Sequence, residues 1–388
     1  MFKPKIDTML GYRRSAGWGI RNHCLVLSAM DLVNGIVTHI GELVRPSLSM
    51  PIWYGRGQYG CDGQLMQQTL GGLIQNPNVG GVVIVSLEEQ SARELLAVAE
   101  KAQKLAHIVV MQEVGSSVDA IALGAQYATE IVSSLSMAPR EPMIMKDLIV
   151  GMECGASDTT SGIVANPAIG QVADAIIDAG GTVIFSETAE LVGAEEILRQ
   201  RAVNAHVADQ ILAMIRRVEE EAMRRNTSLL GTNPSPDNIR GGLSSLEEKA
   251  LGSIIKGGSR PITGVLSYAQ TPHTSGLYIM DTPSPASESL TGLAAGGCQL
   301  FLFSTGQGNP VGFPMVPTIK ISANPDTAAH QRLDVDCDLS PALSDRQAWE
   351  TVQEIVWERL SHVVNGQLTR SEILGMGTVA FNRIEPTV

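Results

Sequence analysis

The stretch of residues 149–195 constrains the fold more than any other part of the chain. An apolar run is followed by a polar loop, a helical run at 167–179, a pair of glycines and a second apolar run. Asn166 suits the N-cap of this helix, Pro167 suits its first turn, and the glycine pair suits its end. A strand, a helix and a strand of this length form a βαβ unit with parallel strands. The sequence therefore predicts an α/β fold.

Reactive side chains follow both strands of this unit. Glu153, Cys154, Ser157 and Asp158 come just past the first strand. Ser186, Glu187 and Glu190 come just past the second. In an open parallel sheet the carboxyl ends of the strands face the ligand crevice. We therefore expect carboxylates, a thiol and hydroxyls to meet at one edge of the sheet.

The remainder of the chain also alternates between apolar runs and helical patterns. This alternation predicts two Rossmann-like, mostly parallel α/β domains, with the active site in the crevice at the carboxyl ends of the strands. The segment 137–142 contains two prolines and no periodicity, so the predicted domains are residues 1–140 and 141–388. A single long charged helix is expected over residues 193–227.

Charge and cysteine usage exclude several classes of protein. The net charge of −12 argues against nonspecific binding to nucleic acid or to an anionic membrane. No apolar run approaches the roughly 18 residues that a membrane span needs, and the first residues lack the apolar core of a signal peptide. The five cysteines include no CxxC pair, which favours a reducing cytoplasm over a disulfide framework or a zinc ribbon.

Two glycine-rich loops in the first domain are candidates for substrate binding. One carries Arg21 and Asn22, and its guanidinium could hold a carboxylate in a bidentate manner. The other carries Tyr54, Arg56 and Gln58 between glycines, which allow a ligand to approach the backbone. The alternative interpretation is that the first is a surface loop and that the tyrosine only packs.

Further candidates lie in the second domain. Lys249 follows the capping serines of a predicted helix, and Lys320 lies on a predicted strand that could face the crevice; a surface lysine is the alternative for Lys249. Ser304 and Thr305 begin a glycine-rich loop after another strand. This loop has neither the GxGxxG spacing nor the GK[ST] ending of phosphate-binding loops, which argues against a nucleotide-dependent enzyme.

Five motifs, in one order along nearly the whole chain, resemble the altronate/galactarate dehydratase family. They are GYRRSAGWGIRN, GMECGASDTTSGIVANPAIG, SETAELVGAE, NPSPDNIRGGLSSLEEKALG, and FSTGQGNPVG with PTIKIS. The resemblance implies removal of water from a small anionic sugar acid to give a 2-keto-3-deoxy acid. It also implies a divalent metal ion, usually Fe²⁺, with Mg²⁺ and Mn²⁺ as alternatives.

Two segments depart from the pattern of the family. Its dehydratases typically have a loop with His and Cys where this chain has residues 54–60, and a Cys where it has residues 28–31. Both differences are similar to the large subunit of sulfolactate sulfo-lyase, a relative that expels sulfite. The leaving group is therefore open between water and sulfite.

Family members often carry an additional small amino-terminal domain. Here the chain begins almost at the GYRR motif, so we expect that domain to be absent. A separate small SAF-like subunit could supply it, and a homo-oligomer is expected.

The chemistry that these features support is β-elimination across C2–C3 of a 2-hydroxy acid. Metal chelation by the carboxylate and the 2-hydroxyl group would stabilise the developing enediolate, while a base takes the C2 proton. The proposed catalytic group is Glu153, Cys154, Asp158, Glu187 and Lys249, with Cys154, Asp158 and Glu187 as metal ligands. Arg21, Arg56, Lys249 and Lys320 would hold anionic groups of the substrate. The alternative from another class is a noncatalytic acid-binding subunit of a larger complex.

Overall fold

The fold consists of three sheets flanked by helices. A computed structural model describes residues 2–4, 8–15, 17–229 and 232–384. The strands are β1 (Met9–Arg14), β2 (Gly17–Gly19), β3 (His23–Ser28), β4 (Ser47–Met50), β5 (Val79–Ser86), β6 (Leu105–Val110), β7 (Glu141–Met143), β8 (Ile149–Gly155), β9 (Thr182–Phe185), β10 (Ile262–Leu266), β11 (Gly276–Met280), β12 (Leu300–Thr305), β13 (Thr318–Ser322) and β14 (Cys337–Asp338). The α-helices are α1 (Asn34–Leu43), α2 (Gly60–Gln75), α3 (Glu89–Lys101), α4 (Met111–Val114), α5 (Ser117–Ser136), α6 (Asn166–Asp178), α7 (Glu195–Gln200), α8 (Ala205–Arg224), α9 (Pro236–Arg240), α10 (Leu246–Ile254), α11 (Ala286–Ala295), α12 (Pro325–His330), α13 (Arg346–Val364) and α14 (Arg370–Leu374).

The two larger sheets are entirely parallel. The first has the order β4-β3-β5-β6, and the second has the order β10-β11-β9-β8-β12-β13-β14. Strand β5 is buried along its whole length, as expected of a parallel strand that is covered on both faces. The third sheet, β2-β1-β7, is antiparallel and connects the start of the chain to the segment before β8. The predicted α/β class with mostly parallel sheets is confirmed.

Strand β8 lies at the switch point of the seven-stranded sheet. The chain continues from β8 to its neighbour β9 on one side, and it later returns through β12 on the other side. Ligands of open α/β sheets bind outside the carboxyl ends of strands at such a point. The order of the strands therefore places the crevice at the carboxyl ends of β8, β9 and β12, near Cys154, Glu187 and Thr305.

The βαβ unit begins its helix earlier than the sequence predicted. A π-helical turn at Ser161–Ala165 precedes α6, so Asn166 lies inside helical backbone and is not an N-cap. The Asp158 carboxylate accepts from the Ser161 backbone N–H at 2.9 Å and thus caps the turn. The prediction was wrong because this earlier cap starts the helix, while the Asn166 amide donates to the Gly252 carbonyl.

The predicted long helix at 193–227 is two helices. Helix α7 ends at Gln200, and Asn204 caps α8 by accepting from the Val207 N–H. Between them, Ala202 forms a parallel bridge with Ile262. The break was missed because this strand pairing is a tertiary contact that overrides the helical pattern.

Two asparagines join the parallel sheets to each other. Asn78 accepts from the backbone N–H groups of Ile20 and Arg21, and its amide donates to the carbonyls of Gln299 and Met315. Asn76 donates to the carbonyls of Ala294 and Cys298.

The domain boundary between residues 140 and 141 stays a prediction. None of the described helices has the length and apolarity that crossing a membrane requires.

Candidate functional site

The loop after β9 turns the Glu187 side chain toward β8. Glu187 has a φ of +70°, which is unusual for a residue with a side chain. Its backbone N–H donates to the Thr282 hydroxyl at 2.9 Å, and the Thr188 hydroxyl donates to Asp281 at 2.7 Å. The end of β11 therefore fixes the loop in this conformation.

Glu187, Cys154 and Lys256 form a buried cluster. The Lys256 ammonium donates to Glu187 Oε2 at 2.5 Å and contacts Cys154 Sγ at 3.1 Å. Its third partner is the Ser253 hydroxyl at 3.1 Å. Glu187 Oε2 also accepts from the Cys154 backbone N–H at 3.0 Å and from its thiol at 3.1 Å. One carboxylate oxygen thus joins a strand end to a lysine about a hundred residues away.

The charges in this cluster follow from burial and contact. Burial alone would lower the pKa of Lys256, but Cys154 and Glu187 raise it above its usual range, so Lys256 is a cation. Burial, followed by the Glu187 charge, raises the pKa of the Cys154 thiol to about 12. The cluster is therefore an ammonium and a carboxylate beside a neutral thiol.

The Glu153 carboxyl group is fully buried beside that of Glu187. Its Oε2 atom accepts from the hydroxyls of Ser186 at 2.9 Å and Ser289 at 2.6 Å. Burial, followed by the charge of Glu187, raises the pKa of Glu153 well above its usual range. Glu153 therefore favours its protonated form beside the Lys256–Glu187 ion pair.

A second lysine–glutamate pair lies beside the first. Lys249 donates to Glu190 Oε1 at 2.8 Å, to Asn233 at 2.5 Å and to Asn238 at 2.9 Å. Glu190 Oε2 is buried and accepts no hydrogen bond from any residue that the structure describes. Burial and the charge of Glu187 raise the pKa of Glu190.

Three members of these two pairs, Glu187, Glu190 and Lys249, border one cavity of about 280 Å³ together with Cys154. Lys256 is not part of the lining, and it contacts Cys154 and Glu187. The remaining lining residues are Gly155, Ala156, Ser157, Ser235, Asp237, Asn238, Ser284, Ala286 and Asn309. The cavity has room for a small hydroxy acid and presents mainly carboxylates, amides and hydroxyls.

The structure brings together only part of the predicted site. Glu187, Cys154, Ser157 and Lys249 line the cavity, and Glu153 supports it. The Asp158 carboxylate is directed to its own turn and to Asn324, whose amide donates to it at 2.8 Å.

The predicted anchors from the first domain make other contacts. All five N–H groups of Arg21 are used: two donate to the Glu372 carboxylate and three to the carbonyls of Ile20, Val363 and Gln367. The Asn22 amide donates to the Leu135 carbonyl.

The loop at 54–58 is also outside the lining of this cavity. The Tyr54 ring lies under the Arg383 guanidinium, and Gln58 accepts from the Gly55 N–H. Neither these residues nor Arg56 borders the cavity around Glu187. Their role in substrate binding stays a prediction.

Three candidates on β12 and β13 are buried and do not line the cavity. Lys320 lies over the Phe303 ring, 3.2 Å from its centroid, and burial lowers its pKa well below the usual range. Its Nζ atom and the Ser304 hydroxyl have no hydrogen-bond partner among the described residues. Thr305 accepts from the Gly308 N–H. Substrate contact by these three residues also stays a prediction.

The three predicted metal ligands do not fit a metal ion as they lie in the structure. Across the described ranges, no group of three or more His, Cys, Asp or Glu side chains is arranged to hold one. Asp158 is capped by its own turn, and the Lys256 ammonium already lies against Cys154 and Glu187. Metal dependence therefore stays a prediction.

Lys256 was not predicted as a site residue, and Glu190, although it follows the second strand of the βαβ unit, was not predicted to have a role. Lys256 follows two isoleucines and precedes two glycines, a pattern typical of a helix end. Glu190 lies three residues after Glu187, and the 3₁₀ turn Thr188–Leu191 brings both to the cavity. The spacing of three between two glutamates after a strand was the one local signal for the second carboxylate.

Comparison with known proteins gives matches over most of the chain. Residues 145–387 match the family model described as D-galactarate/Altronate dehydratase, C-terminal. Residues 11–136 match D-galactarate dehydratase/Altronate hydrolase, second domain.

Three relatives illustrate the range of similarity. The chain is 37% identical to (2R)-sulfolactate sulfo-lyase subunit beta of Chromohalobacter salexigens, over 97% of both chains. It is 33% identical to altronate dehydratase of Bacillus subtilis, over 94% of this chain and 75% of the relative. It is 32% identical to galactarate dehydratase (L-threo-forming) of Escherichia coli, over 92% of this chain and 72% of the relative.

Proposed function

Because the chain belongs to the D-galactarate/altronate dehydratase family, we propose that its cavity catalyses β-elimination from a small 2-hydroxy acid. The family predicted from the five motifs is confirmed. The named relatives are dehydratases and a sulfo-lyase, and the chain is an enzyme of this lyase class. The product of the proposed reaction is a 2-oxo acid.

The main support for the proposal is that two carboxylates line one cavity and that each is paired with a lysine. Glu187 is paired with Lys256, and Glu190 is paired with Lys249. Elimination needs a base for the C2 proton and an acid for the leaving group. Two carboxylates in different environments can divide these roles.

Glu187 is the proposed base. Its charge is stabilised by the buried Lys256 ammonium, and the neighbouring Glu153 carries the proton of the carboxyl pair. Glu187 also lines the cavity, whereas Glu153 does not. A substrate whose C2 lies against Glu187 would therefore lose its proton to this residue.

Glu190 is the proposed acid. Glu190 lines the cavity, its buried Oε2 atom has no hydrogen-bond partner among the described residues, and burial raises its pKa. A protonated Glu190 could donate to a leaving hydroxyl group and then return to its ionised form. Lys249 would hold the resulting carboxylate in place.

Water is the leaving group that the lining supports best. Both lysines near the cavity are already paired with glutamates, and Asp237 adds another carboxylate to the wall. Hydroxyl groups of a substrate can donate to these carboxylates and amides, whereas a sulfonate offers them no donor. We therefore propose a polyhydroxy acid of the altronate or galactarate class as the substrate.

Loss of sulfite from sulfolactate is the second candidate. The relative named sulfolactate sulfo-lyase subunit beta aligns over almost the full length of both chains at 37% identity. Its name also describes a subunit, which supports the proposal that a small partner subunit joins this chain. A metal ion, a homo-oligomer and a cytoplasmic location stay predictions. The proposed proton transfers use only side chains of this chain.

The experiment is an anaerobic assay of the purified chain with altronate, galactarate and sulfolactate. The readouts are 2-oxo acid and sulfite, and the assay is repeated with protein purified together with its native partners. We expect 2-oxo acid from a sugar acid, without sulfite. Sulfite from sulfolactate would reverse the order of the two candidates, and no product in any arm would contradict β-elimination by this chain.

Two matched variants compare the turnover contributed by Glu190 with that contributed by a surface glutamate. Glu190→Gln should slow turnover by about 10²- to 10⁴-fold, the usual contribution of a positioned acid or base. Glu196→Gln, on an exposed helix, is the control and should leave turnover within about twofold. Equal turnover in both variants would remove Glu190 from the proposed mechanism.

A further inference from the structure

Lys256 is the least expected member of the cluster, because its charge is completely removed from solvent. Its side chain has 0% exposure, and its ammonium group has three N–H donors and three acceptors. The acceptors are a thiol sulfur, a carboxylate oxygen and a hydroxyl oxygen. No other hydrogen-bond partner is needed to satisfy the group.

Two of these acceptors, the Cys154 thiol and the Glu187 carboxylate, are of the kinds that divalent metal ions bind in proteins. Thiolate and carboxylate ligands both occur at sites for borderline metals such as Zn²⁺. Cys154 Sγ and Glu187 Oε2 lie 3.1 Å apart, a separation that two ligands of one small ion can adopt. The ammonium lies against both atoms, where such an ion would have to lie.

A metal ion and the ammonium cannot occupy this position together. The charges would be only a few ångströms apart in a site without water, and their repulsion is strong there. Loss of the ammonium would leave Glu187 buried without its counter-ion, which favours uptake of another cation.

We propose that the Lys256 ammonium is the resident cation of the Cys154–Glu187 pair, and that a divalent metal ion binds this pair only when the ammonium is removed. Lys256 thus acts as a positioning residue, because it orders two cavity-lining side chains without lining the cavity itself. On binding a metal the thiol releases its proton and becomes a thiolate ligand, so one proton leaves for each ion bound.

The test is a titration with Co²⁺ under reducing, anaerobic conditions, followed by the absorption band that a thiolate–cobalt bond produces. The wild-type chain should show no such band. Lys256→Ala should show it, with an affinity for Co²⁺ that is about a hundredfold higher than that of the wild type. Cys154→Ser in the Lys256→Ala background should abolish the band.

Lys249→Ala is the matched control. It also removes a buried ammonium from a glutamate, but its partners are Glu190 and two asparagines, without a thiol. It should therefore show no thiolate–cobalt band. Lys256→Gln, which retains most of the side-chain volume, replaces Lys256→Ala if the alanine variant does not fold.

Two results would overturn the proposal. One is a thiolate–cobalt band in the wild-type chain that Cys154→Ser removes. The other is a folded Lys256→Ala or Lys256→Gln variant that binds Co²⁺ no more tightly than the wild type. Neither result depends on turnover, so the proposal and the proposed elimination can fail separately.

Discussion

The Lys256 ammonium and the Glu187 carboxylate form an ion pair that is removed from solvent, with side-chain exposures of 0% and 2%. Each partner comes from a different part of the second domain: Glu187 follows β9, and Lys256 follows α10. Neither charge could remain buried alone without a large cost in free energy. The stability of this region therefore depends on the negative charge of Glu187, which is the proposed base.

Removing either partner alone should destabilise the fold. Lys256→Met and Glu187→Gln should each lower the free energy of unfolding by about 3–5 kcal/mol, because each leaves an uncompensated buried charge. The double variant has no unpaired charge and should recover to within about 1 kcal/mol of the wild type. Denaturant unfolding of the four proteins measures this double-mutant cycle.

The exposed pair Arg199–Glu196 is the control for this cycle. The same type of substitutions there should change the free energy of unfolding by about 0–1 kcal/mol, since solvent screens the charges. Additive losses in the double variant at 187 and 256 would show that the buried pair does not act as a unit.

Arg21 should prove to be a structural residue. Arg21→Met should lower the free energy of unfolding by about 3–5 kcal/mol, because it leaves the largely buried Glu372 carboxylate without its cation and removes one donor from each of three carbonyls. The KM for substrate should stay within about twofold of the wild type. A large rise in KM with unchanged stability would restore Arg21 as a substrate anchor.

The Arg21–Glu372 pair should also give a defined pH dependence. Burial acts to raise the pKa of Glu372, but its hydrogen bonds and the charge of Arg21 outweigh burial, so the pKa is lowered in the folded state. A lowered folded pKa contributes stability above the unfolded pKa of about 4.3, and this contribution is lost as pH falls through the folded pKa.

The measurement is the difference in unfolding free energy between the wild type and Glu372→Gln as a function of pH. The difference should be largest near about pH 7 and should shrink below about pH 4. A difference that stays constant or grows toward acid pH would show that the carboxylate gains nothing from Arg21.

Asp158 should be dispensable for metal binding. Its carboxylate accepts from Thr160, Ser161 and Asn324, so Asp158→Asn should lower the free energy of unfolding by about 1–3 kcal/mol. Iron bound per chain after anaerobic loading should equal that of the wild type by elemental analysis. A selective loss of iron in a folded variant would instead support the role predicted from the sequence.

The sequence predicts those parts of the fold whose patterns are local. The apolar runs and the glycine pair after Asp178 predict β8, α6 and β9, because parallel strands with covered faces need continuous apolar segments. The start of α6 was misplaced because Asp158 caps the preceding turn, although Asp158, Thr160 and Ser161 together offer a local capping pattern.

The site could be predicted only in part from the sequence, because several of its contacts join residues that are far apart in the chain. Glu187 and Cys154 could be proposed because they lie at the carboxyl ends of neighbouring strands, Cys154 within the end of β8 and Glu187 just after β9. Lys256 could not, since its partners are 69 and 102 positions away and nothing in its local sequence marks it. Arg21 shows the converse error: a cationic glycine-rich loop indicates anion binding, but its anion is Glu372, 351 positions away.

The most direct measurement is the turnover of the Glu187→Gln, Lys256→Met double variant, in which the loss of the base is separated from the loss of stability. We predict a normally folded protein whose rate of 2-oxo acid formation is lower than that of the wild type by about 10²- to 10⁴-fold. A double variant that forms 2-oxo acid at the wild-type rate would contradict the assignment of Glu187 as the base.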